Sequence, residues 1–197
     1  MIVLCVDPGL ANVGWAVMVV DMPTRVRPAL APSFTAAGVL RTRALNKAKR
    51  EEMKITKIAD KARRVHEIAG FLDGLCRELA PSVLVHEAQS LGFHQSLTLF
   101  DMGLAFGAML GVAKVHGLEV ISASPREIKM RCCANPKAEK VDVIEWARST
   151  FPSVEWPRAT AIHEHQADAM AAGYTLADTL RSRMQRAAAL TGANPLG

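Results

Sequence analysis

The chain has 197 residues, half of them hydrophobic, with four cysteines and a net charge of +5. That length suits one compact domain with extensions, and Cys5, Cys76, Cys132 and Cys133 have neither zinc-ribbon spacing nor the density of a secreted disulfide framework, so they read as reduced thiols of a cytoplasmic protein. No basic segment precedes an apolar core at the N-terminus, no apolar stretch runs unbroken for the ~18 residues of a membrane span, and the positive balance favours a polyanionic partner over a membrane.

Met1 to Val6 is an almost wholly apolar run without polar alternation, the pattern of a strand covered on both faces. Asp7-Pro8-Gly9 stops it, and Gly14 precedes a second β-rich run, Trp15 to Val20, so the opening reads as strand, turn and antiparallel strand. Asp7 is then left near the end of a central strand, where a carboxylate is expensive to desolvate unless a metal, a basic side chain or backbone N–H groups meet it. A proline-bearing connection, 21–33, leads to a third strand from Phe34 to Arg41.

Ten basic residues follow between Arg41 and Arg64, namely Arg41, Arg43, Lys47, Lys49, Arg50, Lys54, Lys57, Lys61, Arg63 and Arg64, against Glu51, Glu52 and Asp60. This is the densest positive stretch of the chain, either a solvated face or a surface for phosphates. From about Lys54 to Leu79 apolar residues recur at three and four, including Val65, Ile68, Leu72 and Cys76, which predicts one long amphipathic helix. Ala80-Pro81 ends it, and a strand from Ser82 to His86 runs into Glu87, a second carboxylate at a strand end.

Ser96 to Val115 reads as a helix apolar around most of its circumference, with Gly103, Gly107 and Gly111 at intervals of four. Glycine weakens a helix by ~1 kcal/mol relative to alanine, so the spacing implies a close-packed face, against the sheet or against a second subunit. A short strand from Leu118 to Ser122 precedes Ser124-Pro125-Arg126-Glu127, an N-cap, first-turn proline and capping-box glutamate. The loop Ala134 to Lys137 leads into a helix with Val141, Ile144 and Trp146, and the last helix spans about His163 to Arg186 with a flexible tail at 187–197. His165 and Asp168 share one face of that helix, with Glu164 an alternative neighbour four residues before Asp168. Zinc finds no further Cys or His partners at suitable spacing.

These elements give a mixed α/β order. The opening IVLCVDPGLANVGWAV, the strand VLVHEAQ, the segment SASPREIKMRCCANPKAEKVDVI and the closing HQADAMAAGY, in that order, resemble RuvC-type Holliday junction resolvases, nucleases of the ribonuclease H-like fold. The resemblance implies a single nuclease domain over 1–186, built as a mixed five-stranded sheet flanked by helices. It implies that Asp7, Glu87 and Asp168, with His165 or Glu164 as fourth ligand, hold two Mg²⁺ ions, with Mn²⁺ an acceptable substitute. Such ions activate water on one side of a phosphodiester and stabilise the leaving oxygen on the other. Lys129 and Lys140 match functionally important lysines of the family, with Lys137 nearby; an ammonium there would hold the scissile phosphate.

The implied activity is paired nicking of branched DNA by a homodimer, leaving 5′-phosphate ends, with the helix bearing Gly103 to Gly111 as a candidate interface. Two departures stand out. The interval from Asp7 to Glu87 is long, which places Arg41, Arg43, Lys47, Lys49 and Arg50 as further DNA contacts and would be compatible with a bacteriophage version. After Glu87 the family's aromatic wedge is absent at its usual position, and Phe93 is the nearest candidate. A nuclease of the same fold acting on flaps, forks or RNA-containing duplexes, and a non-catalytic junction-binding protein, are the rival readings. A sugar-kinase or actin-like ATPase would need a second phosphate-binding half for which this chain is too short.

Overall fold

The computed structural model describes residues 1–22, 30–88 and 96–190. Its strands are β1 (Ile2–Pro8), β2 (Asn12–Val19), β3 (Ser33–Arg41), β4 (Val83–Glu87) and β5 (Glu119–Ala123). The helices are α1 (Lys47–Glu52), α2 (Lys57–Leu79), α3 (Ser96–Val115), α4 (Pro125–Cys133), α5 (Lys140–Thr150) and α6 (His163–Leu190). The strands form one sheet in the order β3-β2-β1-β4-β5. β1 pairs antiparallel with β2 and parallel with β4, and β4 pairs parallel with β5. This is the mixed five-stranded sheet that the family resemblance implies.

β1 lies in the middle of the sheet, and its apolar run is explained by burial on both faces. Val3 and Cys5 enter a core with α4, α5 and α6, while Leu4 and Val6 enter a second core with α2 and α3. The strand runs two residues beyond Val6, because Asp7 and Pro8 still pair with Gly14 and Val13 of β2. Asp7 is therefore a strand residue. α6 crosses directly over this hairpin: a Cβ on Gly14 would stand 1.8 Å from the carbonyl oxygen of His165, and one on Gly173 would stand 2.4 Å from Cys5 Sγ. Only a residue without a side chain lets strand and helix backbones approach so closely.

Several elements differ from expectation. The single helix expected from about Lys54 to Leu79 is α2, starting at Lys57, where Thr56 caps it by accepting from the Ala59 N–H; the short α1 before it, separated by Lys54 with φ of 54°, was not expected. In α2 the buried row is Asp60, Arg64, Ile68, Leu72 and Cys76, a strict four-residue repeat whose first two members are charged. The capping box at Ser124 and Glu127 forms with both of its reciprocal bonds. α6 continues four residues past Arg186, to Leu190, and the rest of the expected tail lies outside the described residues.

α3 is long and apolar enough by length and composition to cross a membrane, a feature that the unbroken-run criterion did not register. It buries Ala105, Met109, Val112 and Ala113 in the core with α2 and β1, and leaves Leu97, Phe100, Leu110 and Val115 exposed. Gly103, Gly107 and Gly111 face open space, so they do not serve close packing against the sheet.

Candidate active site

The parallel pairing of β1 and β4 brings Val6 level with His86, so the next residue of each strand, Asp7 and Glu87, emerges at the same sheet end. The start of α6 lies over that end because Gly14 admits the His165 backbone. The result is a cavity of about 420 Å³ lined by Asp7, Glu87, Lys140, His165 and Asp168, with Thr98 and Met102 of α3 forming another wall. The four acid and histidine positions singled out from the sequence thus share one cavity. Thr98 and Met102 were not among the expected residues; nothing local in their sequence marks them.

His165 Nδ1 is 2.8 Å from Asp7 Oδ2, which assigns the proton to Nδ1 and leaves Nε2 to accept from Asn12 Nδ2 at 3.2 Å. Burial opposes the imidazolium, but the Asp7 hydrogen bond and the charges of Asp7, Glu164 and Asp168 prevail and raise its pKa. Glu164 turns instead to Lys140, with Oε2 2.5 Å from Nζ. That bond, with the neighbouring Asp168 and Asp7 charges, raises the Lys140 pKa against its partial desolvation.

The buried carboxyls are under electrostatic stress. Burial, then repulsion from Asp7 and Glu87, pushes Asp168 up to about 7. Burial and repulsion from Asp7 also raise Glu87, while Lys129 and Lys140 pull it back, which puts both lysines within electrostatic reach of the site. Among the described residues no three acidic, histidine or cysteine side chains are drawn together tightly enough to enclose an ion. The donor set nevertheless fits a divalent cation, since oxygen ligands whose mutual repulsion raises their pKa values are what a hard positive ion relieves.

The remaining basic positions are placed elsewhere. Lys137 is exposed on the loop before α5. Arg41 and Arg43 are exposed, Lys47 and Lys49 pair with Glu51 and Glu52 at 3.7 and 2.9 Å, and Arg50 donates to the Leu45 carbonyl. Phe93 lies outside the described residues.

A mixed sheet in this order, with carboxylates at the ends of its two central parallel strands and a third on a helix across them, is the arrangement of the ribonuclease H-like fold. Comparison with known proteins narrows the class. The chain is 25% identical over 175 residues, 89% of its length and 96% of the relative's, to the crossover junction endodeoxyribonuclease RuvC of Rickettsia bellii. Similar coverage at 25% identity is found with the RuvC of Prochlorococcus marinus. The Thermus thermophilus RuvC structure superposes with a TM-score of 0.66 at 25% identity, covering 93% of this chain and 96% of that one. The T. thermophilus RuvC in complex with Holliday junction substrate gives a TM-score of 0.69 at 23% identity, over 93% and 96% of the two chains. No protein-family model matches. In sequence and in fold the chain is RuvC-like.

Proposed function

We propose that this chain is a divalent-metal-dependent endodeoxyribonuclease that resolves four-way DNA junctions by paired symmetric nicks, leaving 5′-phosphate ends. The observation that carries the reading is the convergence of Asp7, Glu87, His165, Asp168 and Lys140 on one cavity of a RuvC-like fold. Asp7, Glu87 and Asp168 would hold the metal, with His165 as fourth donor through Nε2 once Asn12 releases it, for Mg²⁺ with Mn²⁺ as a substitute. Two such ions would supply a nucleophilic water and stabilise the leaving oxygen of the strand.

The chain's own groups prepare that chemistry. Asp7 and Asn12 fix the plane of the His165 ring from both nitrogens. Lys140 sits at the cavity rim with an exposed ammonium, suited to hold the scissile phosphate once it leaves Glu164, and Lys129 adds positive potential beside Glu87. Lys137, Phe93 and the stretch with Arg41, Arg43, Lys47, Lys49 and Arg50 are proposed as more distant DNA contacts.

A homodimer through α3 is part of the proposal. Its support is an exposed face carrying Leu97, Phe100, Leu110 and Val115 together with three glycines that leave room for a close second helix. Two-fold symmetry would set two equal sites against two like strands. The cytoplasm is the proposed compartment.

The test uses a synthetic four-way junction, a linear duplex and a forked duplex, each strand labelled in turn, with Mg²⁺ or chelator and with Asp7→Asn. Symmetric paired nicks confined to the junction, and lost with chelator and in the variant, are expected. Preferential cutting of forks would keep the chemistry and overturn the junction assignment; junction binding without cutting would make the chain a non-catalytic junction-binding protein.

A further inference from the structure

Arg64 stands out among the basic residues because it is 7% exposed, in the middle of the buried row of α2. Its Nε donates to Thr42 Oγ1 at 2.9 Å, and that hydroxyl in turn donates to the Leu10 carbonyl. The guanidinium is thereby tied to the turn that follows Asp7-Pro8-Gly9. Among the described residues no hydrogen-bond acceptor meets its two terminal nitrogens.

Asp60, one turn earlier in the buried row, offsets part of the Arg64 charge through space, but no carboxylate among the described residues hydrogen-bonds its fork. Asp60 accepts from the Leu45 N–H and from Arg63, and Asp101 pairs with Lys61 at 2.5 Å. A guanidinium largely withdrawn from water, with its fork open and bonded to no acceptor among the described residues, is a ready receptor for an anion.

Arg64 lines a cavity of about 240 Å³ that also includes Asn12 and Asp101, and that shares Gly9, Thr98, Met102 and His165 with the catalytic cavity. The two spaces are contiguous across the β1–β2 turn. The geometry points to a second phosphate subsite, in which the Arg64 fork receives a non-scissile backbone phosphate of the strand being cut. Planar paired N–H donors match two phosphate oxygens, and their fixed anchoring through Thr42 means that little freedom is lost on binding. The subsite sets the register of the strand, so that the bond one step along lies over Asp7, Glu87 and Asp168. Asp101 also lines this space, with its charge offset by Lys61.

This inference rests on the nuclease reading above. Its test is a set of synthetic four-way junctions in which single phosphates of the cut strand are replaced by neutral methylphosphonates, cleaved under single-turnover conditions with Mg²⁺ by the wild type, Arg64→Gln and Arg64→Lys. At one phosphate adjacent to the cut bond the replacement is expected to slow the wild type by about tenfold. Arg64→Gln should cut the unmodified junction about tenfold more slowly and lose no more on the modified one, the non-additivity of two groups that touch. Arg64→Lys keeps a buried cation and decides the matter if the glutamine variant fails to fold; it should show a reduced sensitivity at the same phosphate.

An equal effect of the replacement in all three proteins, or no sensitive position besides the scissile phosphate, overturns the subsite while leaving the nuclease reading intact. Unfolding of both variants by circular dichroism would make Arg64 a core residue and overturn it as well. Absence of cutting by the wild type on any substrate would remove the nuclease reading itself, and the subsite with it.

Discussion

Gly14→Ala is the sharpest perturbation of the site that touches none of its functional side chains. The added Cβ would lie 1.8 Å from the His165 carbonyl oxygen, 2.3 Å from its carbonyl carbon and 3.1 Å from the Gln166 nitrogen. All three are backbone atoms, so no rotamer change relieves the overlap; either α6 lifts from the sheet by roughly an ångström or β2 gives way at its pairing with Asp7. The residue that moves is His165 itself, and its 2.8 Å bond to Asp7 is lost with it. Overpacking of this kind costs about 1–3 kcal/mol, which for a domain of this size lowers the melting temperature by roughly 2–12 °C. A displacement of about an ångström in reacting groups costs about a hundredfold in rate, so junction cleavage at a temperature where the variant remains folded should fall by at least that factor. Calorimetry and single-turnover cleavage measure the two effects. A variant that melts within a degree of the wild type and cuts within about twofold of its rate would refute the docking of α6 on β2, and with it the derivation of the site.

The open helix glycines behave oppositely: Gly107→Ala has free space around its new methyl and should stabilise the chain by ~1 kcal/mol in a thermal melt, whereas Gly107→Leu should shift the proposed dimer to monomer in sedimentation. Asp168→Asn should abolish cleavage yet raise the melting temperature of the cation-free protein near pH ~8, because the wild-type carboxyl there is charged against Asp7 and Glu87. The native state holds a proton on Asp168 that the unfolded chain releases at its ordinary value, so stability present at low pH is lost as pH rises from 3.8 to about 7; Glu87 and His165, both also raised, act in the same direction. Urea melts across that range with chelator present should show the decline, and divalent cation should flatten it. Glu164→Gln frees Lys140 and should tighten junction binding by about twofold to fivefold at low salt, while Lys140→Ala should slow cleavage by about a hundredfold with fold retained.

Much of the site was legible because its determinants are local. An apolar run ending in Asp7, a second ending in Glu87 and the i, i+3 spacing of His165 and Asp168 place the acids on predictable ends and faces; that they belong together came from the family resemblance, and the parallel pairing of β1 with β4 brings the first two to one sheet end. What escaped depends on docking between distant segments. Asn12 meets His165 across 153 positions, and Gly14 serves a helix contact that no turn rule describes. Arg64 was hidden for a different reason: charge composition assigned it to the basic surface, although its place four residues before Ile68 continues the buried row. Extending the repeat of Cys76, Leu72 and Ile68 backward would have found both Arg64 and Asp60. The short helix α1 was equally hidden, since a six-residue helix of mostly charged side chains that buries nothing leaves no apolar period to read.

The position of the site and its electrostatic stress have one origin. Central parallel strands deliver their C-terminal residues to a common edge, and that edge is where an α/β sheet offers a crevice. Putting carboxylates at two such ends and a third on the crossing helix concentrates negative charge where the core excludes water. Hydrogen bonding meets part of that cost, through His165 on Asp7, and the rim lysines meet another part. Asp168 has no hydrogen-bonding partner among the described residues and is only partly exposed, and burial with the repulsion of Asp7 and Glu87 pushes its pKa up to about 7. A charge so disfavoured in the cation-free fold is one that a divalent ion would stabilise, which couples cation binding to folding stability. On that logic the increase in melting temperature on adding Mg²⁺ should be largest above neutral pH, shrink as Asp168 protonates, and be absent from Asp168→Asn even though that variant is the more stable in chelator.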